Sequence, residues 1–482
     1  MTNEISVFGA LVALFLPWLT GAMVTALILE KARKKNIWLL LGQGYAIGIL
    51  LSTTLLWLWE KLHLPESFWA PAGLLLLISV VIITKLRSSE TARHPATAQK
   101  HSAQKAWQTG LTCLLLALLC YRHLVLAHEL SLLPLFPWDA WMNWAPKPLV
   151  WYHFGELVEW GSRSDWLNTD QGNLIYTAGA GNAWKYPNII PLVQLWAMLG
   201  MGTADHTAIY YPWLLIAIAM GLACYGHLRL LEVSPVIALM GTYMLLSMPF
   251  INVHIALAGY ADLWVAAFFG CAVMALSAWK RGHGFQYLTL AILLAIACTQ
   301  IKMPGLVMGA IVLATALISL AIRHRPTMIG LTASVVVIIT AIVIGIEFSI
   351  PALGPIKLST EGILLPYLGN YDFSFHNVSA AFVSALFKMI NWNLTVYLIC
   401  AALLYLLLKP QLISAVFVEL CALMATLLFI AFVYYFSERY VFALDYTQVN
   451  RAIIYAAIPA VFLLAHTMSL IKQVKKPNNS IF

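Results

Sequence analysis

Apolar residues occur along this chain in long runs that short polar segments separate. A helix needs about 20 consecutive apolar residues to cross the ~30 Å hydrocarbon layer of a membrane. Thirteen runs approach that length, and the pattern predicts an all-α, polytopic transmembrane helix bundle. The predicted spans are 5–29, 37–59, 68–86, 107–127, 206–228, 234–252, 260–279, 285–301, 304–322, 327–350, 391–408, 411–436 and 452–471.

The charge of the polar segments predicts the orientation of the bundle. Lysine and arginine concentrate in short cytoplasmic loops, and every second segment of this chain is basic. The basic segments are 31–35, 85–105, 280–281, 323–325 and 472–476. We therefore expect the N-terminus outside and the C-terminus in the cytoplasm. No basic stretch precedes the first apolar run, so we expect no cleaved signal peptide.

The outer face is expected to carry one long segment, 128–205. Within it, the apolar stretch 188–202 is short and flanked by prolines, so we interpret it as a helix lying at or dipping into the outer surface. Smaller outer segments are predicted at 252–259, 351–390 and 437–450. The polar stretch 86–106 resembles a linker, which divides the chain into a three-span unit, 1–106, and a main module, 107–482.

Composition narrows the class of protein further. Apolar residues make up 61% of the 482 residues and charged residues 10%, which leaves no room for a large soluble domain. The net charge of +8 is explained by the cytoplasmic loops and does not indicate a nucleic-acid partner. All seven cysteines lie within apolar runs, and we interpret them as small core residues rather than disulfide or metal ligands.

The stretch 137–147 combines an acid with three tryptophans just after a predicted span. Trp138, Trp141 and Trp144 recur at helical spacing beside Asp139. Asp139 is either the N-cap of an interfacial helix or a general base, which needs a partly shielded carboxylate near an acceptor hydroxyl. The tryptophans are typical of the aromatic belt at a membrane surface. Both interpretations of Asp139 stay open.

A second acid, Asp262, follows Gly259 and Tyr260 at the predicted outer end of a span. It either caps that helix, which its position favours, or faces a site. On the same face, Lys185 and Tyr186 precede a proline. The lysine either binds a lipid phosphate or extends its ammonium to the membrane surface.

The last predicted outer loop ends at Arg451, where the final span begins. Placing a charged arginine at that depth in the membrane costs free energy unless an anion pairs with it. Either Asp445 or a bound phosphate would be such a partner. Lys302, at an outer junction, and Arg439 are further candidate cations. Glu419 lies inside a span and is either part of a proton path or a neutral, hydrogen-bonded acid.

No phosphate-binding loop, dinucleotide fingerprint or His/Cys metal spacing occurs in the sequence. An activated substrate used at the outer face would have to arrive in the lipid. The order of the motifs WDAW (138–141), YP (186–187), GYAD (259–262) and NR (450–451) resembles bacterial members of the GT-C superfamily of integral-membrane glycosyltransferases, related to protein-mannosyltransferase-like and aminoarabinose-transferase-like enzymes. The resemblance covers 107–471.

This chain departs from protein-mannosyltransferase-like members, which carry an Asp-Glu pair after their first span. Here Asp139 is followed by Ala140, and the acid comes after four predicted spans rather than one. The first three spans would then be an N-terminal addition.

The resemblance implies an inverting, metal-independent hexosyl or pentosyl transfer from a polyprenyl-phosphate sugar to a hydroxyl of a glycan, lipid or protein acceptor. It places the enzyme in the bacterial inner membrane with its site facing the periplasm, and no cofactor is expected. Asp139 would be the base, Asp262 would orient hydroxyls, and Arg451 would meet the phosphate. The candidate substrate-binding residues are Trp138, Trp141, Lys147, Lys185, Tyr186, Tyr260, Lys302, Arg439 and Arg451. A flippase for lipid-linked sugars, or another transporter, is the alternative.

Overall fold

A computed structural model describes residues 5–32, 36–64, 67–90, 105–169, 175–322, 324–351, 354–366 and 369–474. Most of the predicted linker, and parts of the basic segments 31–35, 85–105, 323–325 and 472–476, lie outside these residues. The described chain is mostly helical. Its helices are α1 (Val7–Ile28), α2 (Ile37–Lys61), α3 (Trp69–Glu90), α4 (Ala106–Leu132), α5 (Pro146–Phe154), α6 (Arg163–Asn168), α7 (Ile189–Met201), α8 (Tyr211–Leu230), α9 (Pro235–Leu246), α10 (Pro249–Ala256), α11 (Asp262–Lys280), α12 (Phe285–Thr299), α13 (Met303–Ala321), α14 (Arg325–Ile344), α15 (Ser379–Val383), α16 (Thr395–Leu408), α17 (Phe417–Tyr435), α18 (Val441–Leu444) and α19 (Val449–Val474).

Within the described residues, ten helices are long and apolar enough to cross a membrane, which indicates a multi-pass membrane protein. They are α1, α2, α3, α4, α8, α11, α13, α14, α17 and α19. Helices α9 and α10 form an eleventh candidate, bent by 57° at a short break. The count of thirteen spans is not confirmed, because the predicted spans 285–301 and 391–408 contain helices of only 15 and 14 residues.

The predicted all-α class needs one correction. Strands β3 (Ile346–Ile350), β4 (Gly354–Leu358), β5 (Gly362–Leu365) and β6 (Gly369–Asp372) form an antiparallel sheet in chain order, and β1 (Glu159–Trp160) pairs in parallel with β2 (Ile175–Tyr176). The predicted span 327–350 therefore ends early. Helix α14 stops at Gly345, whose φ of 78° ends a helix at little steric cost, and the next residues enter β3.

The first helices pack closely onto the rest of the bundle through small residues. A Cβ atom added at Gly42 of α2 would lie 2.1 Å from the backbone nitrogen of Ala223 in α8, so only glycine permits this approach. At the start of α2, the Asn36 amide donates to the Gly226 carbonyl oxygen of α8 at 2.9 Å. The boundary drawn at residue 106 stays a prediction.

The short apolar helix α7 has 13 residues, fewer than a membrane span needs. Twelve of them are buried. The helix packs against α1, α2 and α5. Its position at the outer membrane surface stays a prediction. Three of the cysteines, Cys113, Cys120 and Cys400, are exposed on the outside of the bundle, so the interpretation of all seven as core residues was wrong for these.

Helices α11 and α19 form the interior of the bundle, whereas α14 is almost entirely exposed. Seventeen of the 19 residues of α11 are buried. Helix α11 packs against α8, α12, α13, α17 and α19. The starts of α11, α13 and α19 lie at the end of the bundle where α4 stops, which we call the Asp139 end. Asp262 and Arg451 therefore lie at this end of the bundle, where the Asp262 side chain is buried.

Candidate functional site

Asp139 lies in the connection between α4 and α5, directly before a short helical turn. The turn runs through Ala140–Trp144 as one turn of wide, π-type helix, a geometry that often marks functional sites. The Asp139 side chain makes no capping hydrogen bond. Instead, the Asn143 amide, four residues later, donates to one of its oxygens. Of the two interpretations of Asp139 that the sequence left open, the N-cap does not agree with this geometry.

The GYAD segment fits directly against this turn. Gly259 has a φ of 106°, and a Cβ atom there would lie 2.4 Å from the Cβ atom of Ala140. The indole of Trp213 donates to the Tyr260 carbonyl oxygen at 2.7 Å and fixes the segment from the other side. Only glycine allows this approach, which brings Asp262 next to Asp139.

Asp262 opens α11 with its side chain buried, and it does not cap the helix. The Lys302 ammonium donates to its two oxygens at 2.9 and 3.0 Å. The hydroxyl of Tyr455 donates to the same carboxylate. Capping was the favoured interpretation of Asp262 from position alone, and the structure instead places this acid in a polar cluster.

Arg451 joins the two acids across the cluster. Its Nε and Nη2 atoms lie 3.0 and 2.6 Å from Oδ2 of Asp262, and Nη2 also donates to Asp139. The guanidinium lies 4.4 Å from the centre of the Tyr260 ring, within cation–π range. Asp445 is not its partner, because that acid accepts hydrogen bonds from Thr447.

Asp139, Asp262, Lys302 and Arg451 form what we call the charge quartet. Lys302 reaches both acids, with its ammonium 3.8 Å from the Asp139 carboxylate. Burial alone would raise the pKa of Asp139, but Lys302 and Arg451 outweigh it and hold that pKa below its usual value. The Asp139 side chain is 12% exposed and that of Asp262 is 2% exposed, so substrate has access mainly to Asp139.

The quartet lines a cavity of about 240 Å³. The apolar part of the lining comes from α13 and α17, with Met303, Phe429, Ile430 and Val433. The polar lining is completed by Tyr186, Tyr371, Tyr434, Arg439, Gln448 and Tyr455. A cavity of this kind suits a molecule with both a charged and an apolar part.

Arg439 gives the cavity its excess of positive charge. Its guanidinium lies 5.7 Å from the centre of the Phe442 ring, and within the described residues no carboxylate forms an ion pair with it. The lining carries three cations, Lys302, Arg439 and Arg451, against two carboxylates. The cavity therefore favours an anion.

Tyr186 contributes the lining from the long segment after α4. Its ring packs 4.8 Å from that of Trp144. Burial, and then the neighbouring Asp139 carboxylate, raise the pKa of its hydroxyl, which keeps Tyr186 neutral and able to donate a hydrogen bond.

Five candidates from the sequence do not line the cavity. One of them, Tyr260, instead packs against the Arg451 guanidinium, 4.4 Å from the centre of its ring. Trp138 and Trp141 are exposed, and Lys185 lies over the ring of Trp184 at 5.2 Å. Lys147 is buried, and its ammonium donates to Tyr186 O at 2.7 Å and to the side chain of Asn188 at 3.0 Å. Lys147 thus holds the segment that carries Tyr186 rather than facing a substrate.

Sequence reasoning missed several polar residues of the site. Asn143 and Tyr455 each follow a recognised residue, Asp139 or Arg451, by four positions, the spacing of one helical turn. That signal was present in the sequence. No comparable signal marked Tyr371, which reaches the cavity from β6.

A separate buried cluster lies at the opposite end of the same helices. Glu419 of α17 accepts a hydrogen bond from the Ser277 hydroxyl of α11 at 2.8 Å, and Nδ1 of His466 in α19 lies 2.9 Å from the same oxygen. All three side chains are buried, and none lines the 240 Å³ cavity. This arrangement agrees with the interpretation of Glu419 as a hydrogen-bonded acid of the bundle interior.

Searches of protein families, of curated proteins and of solved structures find no match to this chain.

Proposed function

We propose that the protein is a membrane glycosyltransferase that moves a sugar from a polyprenyl-phosphate donor to an acceptor hydroxyl. One observation carries the proposal: a partly exposed carboxylate, Asp139, shares a cavity with three cations, and the same cavity also has an apolar lining. A lipid-linked sugar phosphate has an apolar chain, an anionic link and a polar sugar, and each matches a part of this lining. The motif order that resembles GT-C enzymes agrees with it.

In the proposed reaction, Asp139 accepts the proton of the acceptor hydroxyl as that oxygen attacks the anomeric carbon. The bond between this carbon and the phosphate oxygen breaks, and the configuration inverts. The lipid phosphate leaves with its electron pair, and its charge is met by Arg451, Arg439 and Lys302. Such a leaving group needs no general acid.

Asp262 has a different role in this proposal. Its oxygens are occupied by Lys302, Arg451 and Tyr455, so it positions the cations instead of touching the acceptor. A bound phosphate competes with Asp139 for Lys302 and Arg451. As these cations turn to the phosphate, the pKa of Asp139 rises from its lowered value and the carboxylate becomes a better base.

The central test replaces Asp139 with asparagine. Asparagine keeps the size of the side chain and one acceptor oxygen, but it cannot take up a proton, so we expect transfer to fall ~10²–10⁴-fold. Purified protein is assayed with a polyprenyl-phosphate sugar and a candidate acceptor, and thermal unfolding checks that the variant is folded. Transfer at the wild-type rate by Asp139→Asn would remove this acid from the mechanism.

We also propose that the Asp139 end faces the periplasm of a bacterial inner membrane, with the C-terminus in the cytoplasm. Cysteines introduced at Ser131 and Thr169 should react with a membrane-impermeant maleimide in intact cells, above the background of the native cysteines. Arg281→Cys, at the opposite end of α11, is the matched control and should react only after the membrane is opened. The reverse pattern would overturn both the orientation and an extracytoplasmic reaction.

A transporter of the same lipid-linked sugars is the second candidate, and the buried Glu419–His466 pair within two spans favours it. A transporter moves the donor lipid across vesicle membranes and forms no glycosylated product. Product formation by purified protein in detergent, where no transport is possible, distinguishes the two.

A further inference from the structure

A second cavity, of about 290 Å³, lies between α4 and the bent pair α9–α10. Its polar lining comes from Tyr121, Arg122, Tyr243, Ser247 and Asn252. None of these residues belongs to the charge quartet or lines the first cavity. We call it the α4–α10 cavity.

Arg122 is the charged group of this cavity. It lies within the membrane helix α4, ten residues before that helix ends at Leu132, or about 15 Å along its axis. Its side chain is exposed on the outside of the bundle, and within the described residues no acid forms an ion pair with it. Exposing the charge of an arginine to lipid costs free energy unless an anion binds to it.

The bent pair α9–α10 supplies three more polar lining residues, Tyr243, Ser247 and Asn252. Irregular backbone within a membrane is tolerated where it is buried or lines a polar cavity. Asn252 follows the break, and its side chain is 3% exposed. Its amide oxygen is buried without a hydrogen-bond partner among the described residues, although the residue lines the cavity. An unpartnered buried acceptor of this kind indicates a missing donor.

We propose that the α4–α10 cavity binds the headgroup of an anionic phospholipid with a hydroxyl-bearing headgroup, of the phosphatidylglycerol class. The single guanidinium matches the single charge of a phosphodiester and can bind it through two hydrogen bonds. The Asn252 oxygen accepts a hydrogen bond from the headgroup hydroxyl. Leu118 and Leu119, which also line the cavity, contact the acyl chains. This site is independent of the proposed transfer reaction.

Lipid titrations of the full-length protein, followed by native mass spectrometry, test this proposal. We expect phosphatidylglycerol to bind more tightly than phosphatidylcholine, which lacks both the net charge and the hydroxyl. Arg122→Gln should weaken phosphatidylglycerol binding about tenfold or more, the loss expected for a hydrogen bond to a charged group. Arg325→Gln, at the exposed start of α14, is the matched control and should change nothing.

Two further arms keep the test decisive. Asn252→Ala should reduce binding of phosphatidylglycerol but not of phosphatidylcholine, and it serves also if Arg122→Gln does not fold. Soluble glycerol phosphate should fail to displace the lipid, whereas displacement would assign the site to a free phosphate. Equal affinity for the two lipids, or full phosphatidylglycerol binding by both variants, would overturn the proposal.

Discussion

Helices α11, α17 and α19 together hold a cluster of ionisable groups at each end, and the two clusters differ in two respects. At the Asp139 end, α11 and α19 supply Asp262 and Arg451 to a quartet that borders a cavity. At the other end, Ser277, Glu419 and His466 bind one another with all three side chains buried. Burial and pairing are common to both. Access for a substrate separates them, and so does the surplus cation, Arg439.

The largest effect is expected when Arg451 is removed from the charge quartet. The Arg451→Met variant leaves Asp139 and Asp262 close together with Lys302 as their only cation in the quartet. Removing one partner of a buried ion pair costs ~3–5 kcal/mol, so we expect a marked drop in thermal stability. Thermal unfolding in detergent measures it.

A compensating change sharpens that result. Adding Asp262→Asn to Arg451→Met removes the excess negative charge and should recover part of the lost stability, although transfer stays absent. A double variant as unstable as the single one would show that Arg451 supports the fold through packing on Tyr260 instead of through charge.

The next test compares equivalent changes at the two ends. Asp262→Asn weakens the hydrogen bonds that position Lys302 and Arg451. Because a hydrogen bond to a charged group contributes ~1.5–3 kcal/mol, we expect the rate of transfer to fall roughly tenfold to a hundredfold. Glu419→Gln keeps an oxygen for Ser277 and His466, and transfer should not change. Loss of transfer in Glu419→Gln would instead show that the two clusters are functionally coupled.

A smaller effect is expected at Lys147, which is buried near the site but does not line its cavity. Lys147→Met keeps the aliphatic chain and removes the hydrogen bonds to Tyr186 and Asn188. We expect a stability loss of ~1–3 kcal/mol with transfer per folded molecule preserved. A fully stable variant without transfer would return Lys147 to the substrate-binding residues.

The smallest expected effect is a change with pH in the stability difference between wild type and Lys147→Met. Burial lowers the pKa of Lys147 to about 8, below its usual value of about 10.5. Between these values the unfolded chain binds more protons than the folded one, so wild-type stability gains from rising pH. The melting-temperature gap between wild type and Lys147→Met should therefore widen from pH 8 to pH 10. A constant gap would contradict a lowered pKa.

Part of the site could be predicted because its residues lie at recognisable positions in the sequence. Asp139, Asp262 and Arg451 each lie at the edge of an apolar run, where a polar group is conspicuous. The sheet was missed because its first strand follows an apolar run without a break. The alternation of Ile346, Phe348 and Ile350 with polar residues was a local sign of a strand that the run obscured.

The sequence by itself determined that this is a membrane protein and where most of its long helices lie, because hydropathy is a local property. Only the tertiary structure decided which ionisable side chains pair with one another. Arg451 meets Asp139 across 312 positions and Asp262 across 189, whereas the acid nearest in sequence, Asp445, binds elsewhere. Such pairs depend on which helices pack side by side, and that choice is made by small residues and buried side chains distributed over the whole chain.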